Sequence, residues 1–350
     1  MNRGPFVCLD FGLDRLCAIE VSEGRVVRWA VQRLLPGTVR GGDPDNPSAL
    51  ADGIRWALQR AGITAKRARI AVSDDAAVVR VVEMPRMPTR HLPGALRYLS
   101  EQQTPFPAGQ ASLAWDVVDR EATSQHVYLA AAWKDVVNRL ATAARAAGLE
   151  PVIIEPHSLA VGRALGQREA LVVDATEGRA RLLHLNPTQA PLTDETELPP
   201  NGEWEALNRM LERALRNQRC SLPLLFAGEL ESMADSPNVS SLNMRAEPAS
   251  HALNGQGPTR PPGMPSGSLL GPLGLAMPGG RSNLTFGYPQ VNLLAVGRDR
   301  RMKVIRILPS RANRRLVTAG AAAGALVLWS VAGAAMAMVL GWHPHFPLGP

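Results

Sequence analysis

The stretch CLDFGLDRLCAIEV, residues 8–21, sets Asp10 and Gly12 between two runs of alternating apolar residues. Period-two alternation broken by a glycine is the pattern of a β-hairpin, and a second break at Glu23-Gly24 predicts a third strand by residue 34. Helical spacing follows at Leu50, Ile54, Ala57 and Leu58, stopped by Gly62, and Ala68 to Val72 reads as a strand. Later the opening repeats, with LVVDA (171–175) and RARLLHLN (179–186) predicting another hairpin that carries Asp174 in its first strand. An amphipathic helix over Trp204–Asn217 follows, with Leu207, Met210, Leu211, Ala214 and Leu215 on one face. Two halves that begin alike predict an α/β body of two lobes.

Between the two hairpins the sequence predicts an extended run at 78–88, a helix at 91–103, the breaker TPFP at 104–107 and strands at 111–119 and 126–132. A helix over 135–147, the strand PVIIEP at 151–156 and a helix over 159–165 complete this part. Residues 237–281 are rich in Pro, Gly, Ser and Asn and cannot bury much apolar surface. Within them 254–268 reads as a loop, and the apolar island SLLGPLGLAMPGG (268–280) is expected to dock back onto the body. His157 and His184 read as structural histidines of core or edge strands. Three cysteines, Cys8, Cys17 and Cys220, are too scattered for a disulfide framework or a CxxC metal site.

From Leu316 to Leu340 the chain holds no charged residue, and a spanning helix needs roughly 20 apolar residues. Just before it, Arg298 to Arg315 holds eight basic residues and one acid, a charge of +7 that equals the formal charge of the whole chain. The globular part is therefore close to neutral, which argues against a nucleic-acid-binding body. Lys and Arg beside a spanning helix stay on the cytoplasmic side, while GWHPHFPLGP (341–350) contains neither. A single-pass protein of the inner membrane with its body in the cytoplasm is expected. Gly320 and Gly324 form a small-xxx-small face suited to helix pairing, hence to a homo-oligomer.

These residues resemble the PilM branch of the actin-like ATPase superfamily, which also includes FtsA and GspL. CLDFGLDRLCAIEV is similar to the family's LDIGSSSVKAVEL, and VVEMPRMPTRHLPGALRYLSEQQTPFP (81–107) resembles its block from LPxMP to PFP. Residues 129–165 resemble the family's VAARKEL…AAGLEPVVVDVEPFALARAL block, and LGLAMPG (273–279) its closing LGLALRG. Beyond the body, YPQVNLLAVGRDRRMKVIRILPSRANRR (288–315) is similar to the start of PilN, the membrane partner of PilM, which begins near INLLP and continues through a basic run into one helix. Asn292, Leu293 and Leu294 match and Ala295 replaces the proline. The resemblance implies a two-lobed α/β actin-like (ribonuclease H-like) body over 1–236 with an inserted small α+β subdomain at about 80–150, a Pro/Gly-rich loop with a docked segment over 237–281, a PilN-like peptide and basic flank over 282–315, a transmembrane helix over 316–340 and a short tail over 341–350. It also implies that Val291, Asn292, Leu293 and Leu294 bind a groove on a PilM-like body, and that partners are platform proteins of PilN and PilO type.

Actin-like folds grip ATP and its metal with an Asp from each hairpin, small residues that let backbone N–H groups reach phosphate, and a Gly-rich turn beside the adenosine. The resemblance places Asp10, Gly12, Asp174 and Gly228 there. Leu13, Asp14 and Arg15 stand where the family has serines, Cys17 where it usually has Lys, and Thr176 at a Gly position. Glu177, Arg179 and Arg181 fill a stretch of small hydroxyl residues, and the adenosine turn is reduced to FAGELES (226–232). The expected function is a non-catalytic scaffold of the pilus platform with an eroded nucleotide site and no cofactor. The alternatives are a PilM-type ATPase that cycles with ATP and Mg, or a GspL-like component of type II secretion.

Overall fold

A computed structural model describes residues 4–294 apart from 12–14, 108, 167–168, 177, 187–188, 190, 200–202, 216–221, 237–245, 254, 256 and 279–287. Gly12 lies outside the described residues, as do the basic flank, the expected spanning helix 316–340 with Gly320 and Gly324, and the tail. Among the described residues no helix is long and apolar enough to cross a membrane.

Strands β1 (Phe6–Asp10), β2 (Arg15–Ser22) and β3 (Arg25–Arg33) form an antiparallel meander, turned by Glu23 and Gly24, both at positive φ (50° and 75°). Consecutive positive φ values match the right-handed twist of the strands they join. Helix α1 (Pro47–Arg60) begins where Asn46 Oδ1 accepts from the Ala49 N–H at 3.0 Å, and Pro47 at its first position gives up no bonded donor. Strand β4 (Arg67–Val72) then pairs parallel with β1, and β8 (Glu150–Pro156) pairs parallel with β4. The order β3-β2-β1-β4-β8 leaves β8 at one edge.

The second sheet repeats this plan. Strands β9 (Ala170–Thr176), β10 (Arg179–Leu185) and β11 (Leu192–Glu197) form the meander, and β12 (Leu224–Gly228) and β13 (Ala246–Pro248) add in parallel, in the order β11-β10-β9-β12-β13. Helix α5 (Glu203–Leu215) buries Ala206, Leu207, Met210 and Leu211 among the side chains of this sheet. The short strands β11 and β13 have no counterpart in the sequence reading, because LTDETE and AEP show neither apolar alternation nor length.

Between β4 and β8 sits a third sheet, with β5 (Ala77–Pro85), β6 (Ala111–Arg120) and β7 (Ser124–Trp133) in the order β5-β7-β6. Helix α2 (Leu92–Gln103) covers one face with Leu92 and Leu96, and Phe106 of the TPFP breaker is buried with its ring edge-on to Trp133 at 4.9 Å. Helix α3 (Lys134–Ala146), toward the end of the stretch expected as insertion, packs against α1 and β8 of the first lobe and also meets β6 and β7.

The lobes are joined by α4 (His157–Ala164), and the chain returns through α6 (Leu270–Ala276), inside the apolar island. The two helices cross in backbone contact, since a Cβ at Gly274 would overlap the Ala160 carbonyl. At the end of α6 the Leu275 carbonyl accepts from Arg69 Nη1 at 2.8 Å, and the Arg69 guanidinium rests 4.1 Å from the centre of the Phe6 ring. Gly274→Ala is expected to destabilise the body by about 1–3 kcal/mol through overpacking. Gly94→Ala, on α2 with nothing within 4 Å of its added carbon, should stabilise it by roughly 0.5–1 kcal/mol. Denaturation midpoints check both, and equal effects at the two positions would refute the close crossing.

Candidate functional site

Both hairpin aspartates come to the cleft between the lobes, at the carboxyl ends of β1 and β9. In each hairpin the register decides what faces the aspartate: Cys17 pairs with Asp10, and Arg181 with Asp174. Arg15, at the start of β2, reaches across to the second lobe, where Nη2 pairs with Asp174 Oδ1 and Nη1 lies 3.4 Å from the Ala175 carbonyl. The side chains are 6% and 13% exposed, so this ion pair is largely withdrawn from water. Gly228 lies against it, since a Cβ there would stand 2.6 Å from Asp174 Oδ1 and 2.9 Å from Arg15 Nη2.

A second arginine crosses in the opposite sense. Arg181 of β10 donates through Nη2 to Ser73 Oγ at 3.0 Å and Asp75 Oδ2 at 3.3 Å, both in the loop after β4, and through Nε to Glu195 of β11 at 2.6 Å. Arg15 and Arg181 thus make reciprocal bridges between the lobes. Arg179, the other long cation of that hairpin, pairs with Glu195 at 2.7 Å.

Deeper in the cleft, Asp10 is 7% exposed and its Oδ2 lies 3.0 Å from His157 Nδ1, an ion-pair distance without hydrogen-bond alignment. Gly271 of α6 presses on the same carboxylate, with its would-be Cβ 3.1 Å from His157 Nδ1. On the other side Asp74 accepts from the Ser158 N–H at 3.1 Å and Ser158 Oγ at 2.6 Å, capping the N-terminus of α4 from a neighbouring loop. Burial alone would raise the Asp10 carboxyl, but His157, Arg181 and Arg15 outweigh it and hold it below the ordinary range. For Asp74 burial wins over His157 and Ser158, and the carboxyl is raised. Burial alone would lower His157, but Asp10 and Asp74 raise it. Cys17 is pushed up to about 12, chiefly by burial, and its thiol donates to the Ser268 carbonyl at 3.2 Å. That thiol is therefore not a nucleophile at neutral pH.

The four residues 291–294 lie far from this cleft in sequence and along the β8 edge in space. Leu293 donates its N–H to the Ile154 carbonyl at 2.8 Å. The Asn292 side chain completes the pairing: Nδ2 donates to the Val152 carbonyl at 2.9 Å, and Oδ1 accepts from the Ile154 N–H at 3.2 Å and the Leu294 N–H at 3.1 Å. A carboxamide offers one donor and one acceptor in the geometry of a peptide group, so Asn292 pairs with the strand as another strand would. Val291 and Leu293 are 3% and 1% exposed and join the main core, with Leu294 packed against it.

His157 was not visible as a cleft residue in the sequence, where one imidazole after an apolar strand reads as core. The acid pair Asp74-Asp75, placed just after a buried parallel strand, was the available signal, because ligand-facing groups of such sheets gather at strand carboxyl ends.

Two sheets of one topology, joined by a helix pair and facing each other across an aspartate-lined cleft, define a two-lobed actin-like fold. The family model for type IV pilus assembly protein PilM matches residues 9–183, half of the chain, and the chain belongs to that family. No curated protein sequence matches it significantly. Among solved structures, the PilM–PilN type IV pilus biogenesis complex is similar over 78% of this chain and 98% of the solved one, at 21% identity and a TM-score of 0.64. The cytoplasmic domain of EpsL, an inner-membrane component of the type II secretion system of Vibrio cholerae, is similar over 71% and 92% (14% identity, TM-score 0.45). The ethanolamine utilization protein EutJ from Carboxydothermus hydrogenoformans is similar over 79% and 90% (14% identity, TM-score 0.47).

Removing one partner of a buried ion pair leaves a charge uncompensated, typically at about 3–5 kcal/mol. Arg15→Met should approach that loss, and Arg15→Met with Asp174→Leu should recover most of it, read from denaturation midpoints. The raised His157 favours its protonated form in the folded state, so this contribution is full below the ordinary histidine value and is lost as pH rises through the raised one. Stability should thus decline above about pH 6.5, and His157→Gln should flatten that decline in the pH dependence of the melting temperature.

Proposed function

We propose that the chain is a non-catalytic scaffold of the type IV pilus inner-membrane platform, with a nucleotide cleft taken over by its own side chains. The observation that carries this reading is the pair of arginines crossing the cleft. A metal and a polyphosphate need free carboxylates and open backbone donors, but Asp174 is paired with Arg15, Asp10 faces His157 under Gly271, and Arg181 spans to Ser73 and Asp75. As placed, these residues do not fit Mg–ATP. The persistence of Asp10, Asp174 and Gly228 at the cleft favours a second reading, an ATPase that opens these bridges to bind nucleotide.

The sequence supports a body held at the membrane by the helix 316–340, with the basic residues 298–315 on the cytoplasmic side. Residues 291–294 play the part of the PilN-like peptide, and proteins of PilN and PilO type are the proposed partners. Pairing of the helix through Gly320 and Gly324 would make the scaffold a homo-oligomer. A GspL-like role in type II secretion remains the alternative placement of the same body, separated from this one by which platform proteins co-purify with the chain.

An equilibrium titration of the full chain in detergent with a fluorescent ATP analogue is expected to show no saturable binding below about 1 mM. Micromolar binding abolished by Asp10→Ala would replace the scaffold with the ATPase. In membranes the chain should resist extraction by high salt, because a spanning helix is not screened as basic-patch adhesion is. Release by salt alone would remove the anchoring helix from the reading.

A further inference from the structure

Upstream of the docked tetrapeptide the structure buries two residues to which the peptide pattern gives no role. Tyr288 is fully buried, with its ring on the backbone of Gly162 in α4, where an added Cβ would stand 2.5 Å from Cε2 and 2.6 Å from Cγ. The Pro289 carbonyl accepts from Arg163 Nη1 at 2.7 Å. The same guanidinium pairs with Glu155 of β8 and donates through Nε to the Gly274 carbonyl at 3.2 Å. Arg163 and Glu155 are 1% and 0% exposed, and the Val291 N–H approaches the Glu155 carboxylate.

This arrangement is selective on three counts. Only glycine at 162 leaves room for a ring, so the α4 surface is shaped to an aromatic side chain. A guanidinium fixed by a buried carboxylate and a helix carbonyl holds Nη1 in one direction, and the Pro289 carbonyl meets it. Proline brings no N–H into this buried stretch and holds the residue before it extended.

We propose that the groove beside β8 recognises seven residues, Tyr288 to Leu294, with Gly162 and the Glu155–Arg163 pair as its specificity element for an aromatic residue followed by proline. The inference rests on residues 291–294 being a docking peptide and deepens that reading. The ring, not the hydroxyl, is what is read: Tyr288 Oη is buried with no hydrogen-bond partner among the described residues. Its desolvation is uncompensated, so phenylalanine suits the site at least as well.

The test is hydrogen exchange, followed by mass spectrometry, of peptides covering 288–294 in the full chain held in detergent micelles. Gly162→Ala and Tyr288→Ala should each raise exchange by about tenfold or more. The double variant should exchange no faster than Tyr288→Ala alone, since the added methyl then meets no ring. Tyr288→Phe should exchange at the native rate or more slowly. Unchanged exchange in Gly162→Ala, multiplied effects in the double variant, or Tyr288→Phe exchanging as fast as Tyr288→Ala would each overturn the proposal. Peptides from β1 and β4 report whether the body stays folded; if Gly162→Ala loosens those as well, the contrast between Tyr288→Ala and Tyr288→Phe decides alone. Co-purification with PilN- and PilO-type proteins is read separately. Unchanged co-purification with fast exchange in Tyr288→Ala would keep this recognition element and remove the docking role proposed above.

Discussion

Where α6 lies on α4, Gly274 meets the Ala160 carbonyl with no side chain between them, and the rest of the body is built around that contact. Helices normally keep 8–10 Å between axes because side chains separate them. Removing those side chains brings α6 close enough for Gly271 to touch the Asp10 carboxylate and for the Gly274 carbonyl to take a bond from Arg163. Helix α4 consequently serves two places. Its first residues, His157 and Ser158, face the cleft, and Gly162 and Arg163, near its other end, hold the segment 288–291.

In the cleft, charged side chains link the two lobes directly. Arg15 and Arg181 each reach from one lobe to acceptors on the other, and a guanidinium suits this because its fork meets two or three acceptors at once. Such buried pairs add little net stability over an apolar packing of the same shape. What they add is direction, since separating the lobes would leave Arg15 and Asp174 unpaired and would strip Arg181 of Ser73 and Asp75, with Glu195 alone still facing it. The buried His157 between Asp10 and Asp74 ties the same cleft to pH.

At the sheet edge the governing fact is the unpaired backbone of β8. An open edge strand must be covered or it invites other strands. Here Asn292 covers it with a side-chain amide while Val291 and Leu293 enter the core. Because groove and peptide belong to one chain, the effective concentration is high and occupancy does not require strong pairing. Gln290 Nε2, 3.5 Å from the Met277 carbonyl, places the segment beside the end of α6.

The sequence by itself determined the hairpins, the duplicated opening and the helices α1, α2, α3 and α5, because apolar period and glycine breaks are local and survive any tertiary arrangement. It also marked Asp10 and Asp174, and the burial of Leu269, Leu270, Leu273 and Leu275 follows from the apolar content of their island. It could not show that Arg15 faces Asp174, that Arg181 reaches Ser73 and Asp75, or that His157 stands beside Asp10. Those pairings join residues far apart in the chain, and the side-chain types alone fit a solvated surface equally well. The weak strands β11 and β13 were decided by the neighbours they pair with, and the place of Tyr288 by an absent side chain at Gly162. Period is written along the chain, whereas proximity exists only once the two lobes and the helices between them have closed.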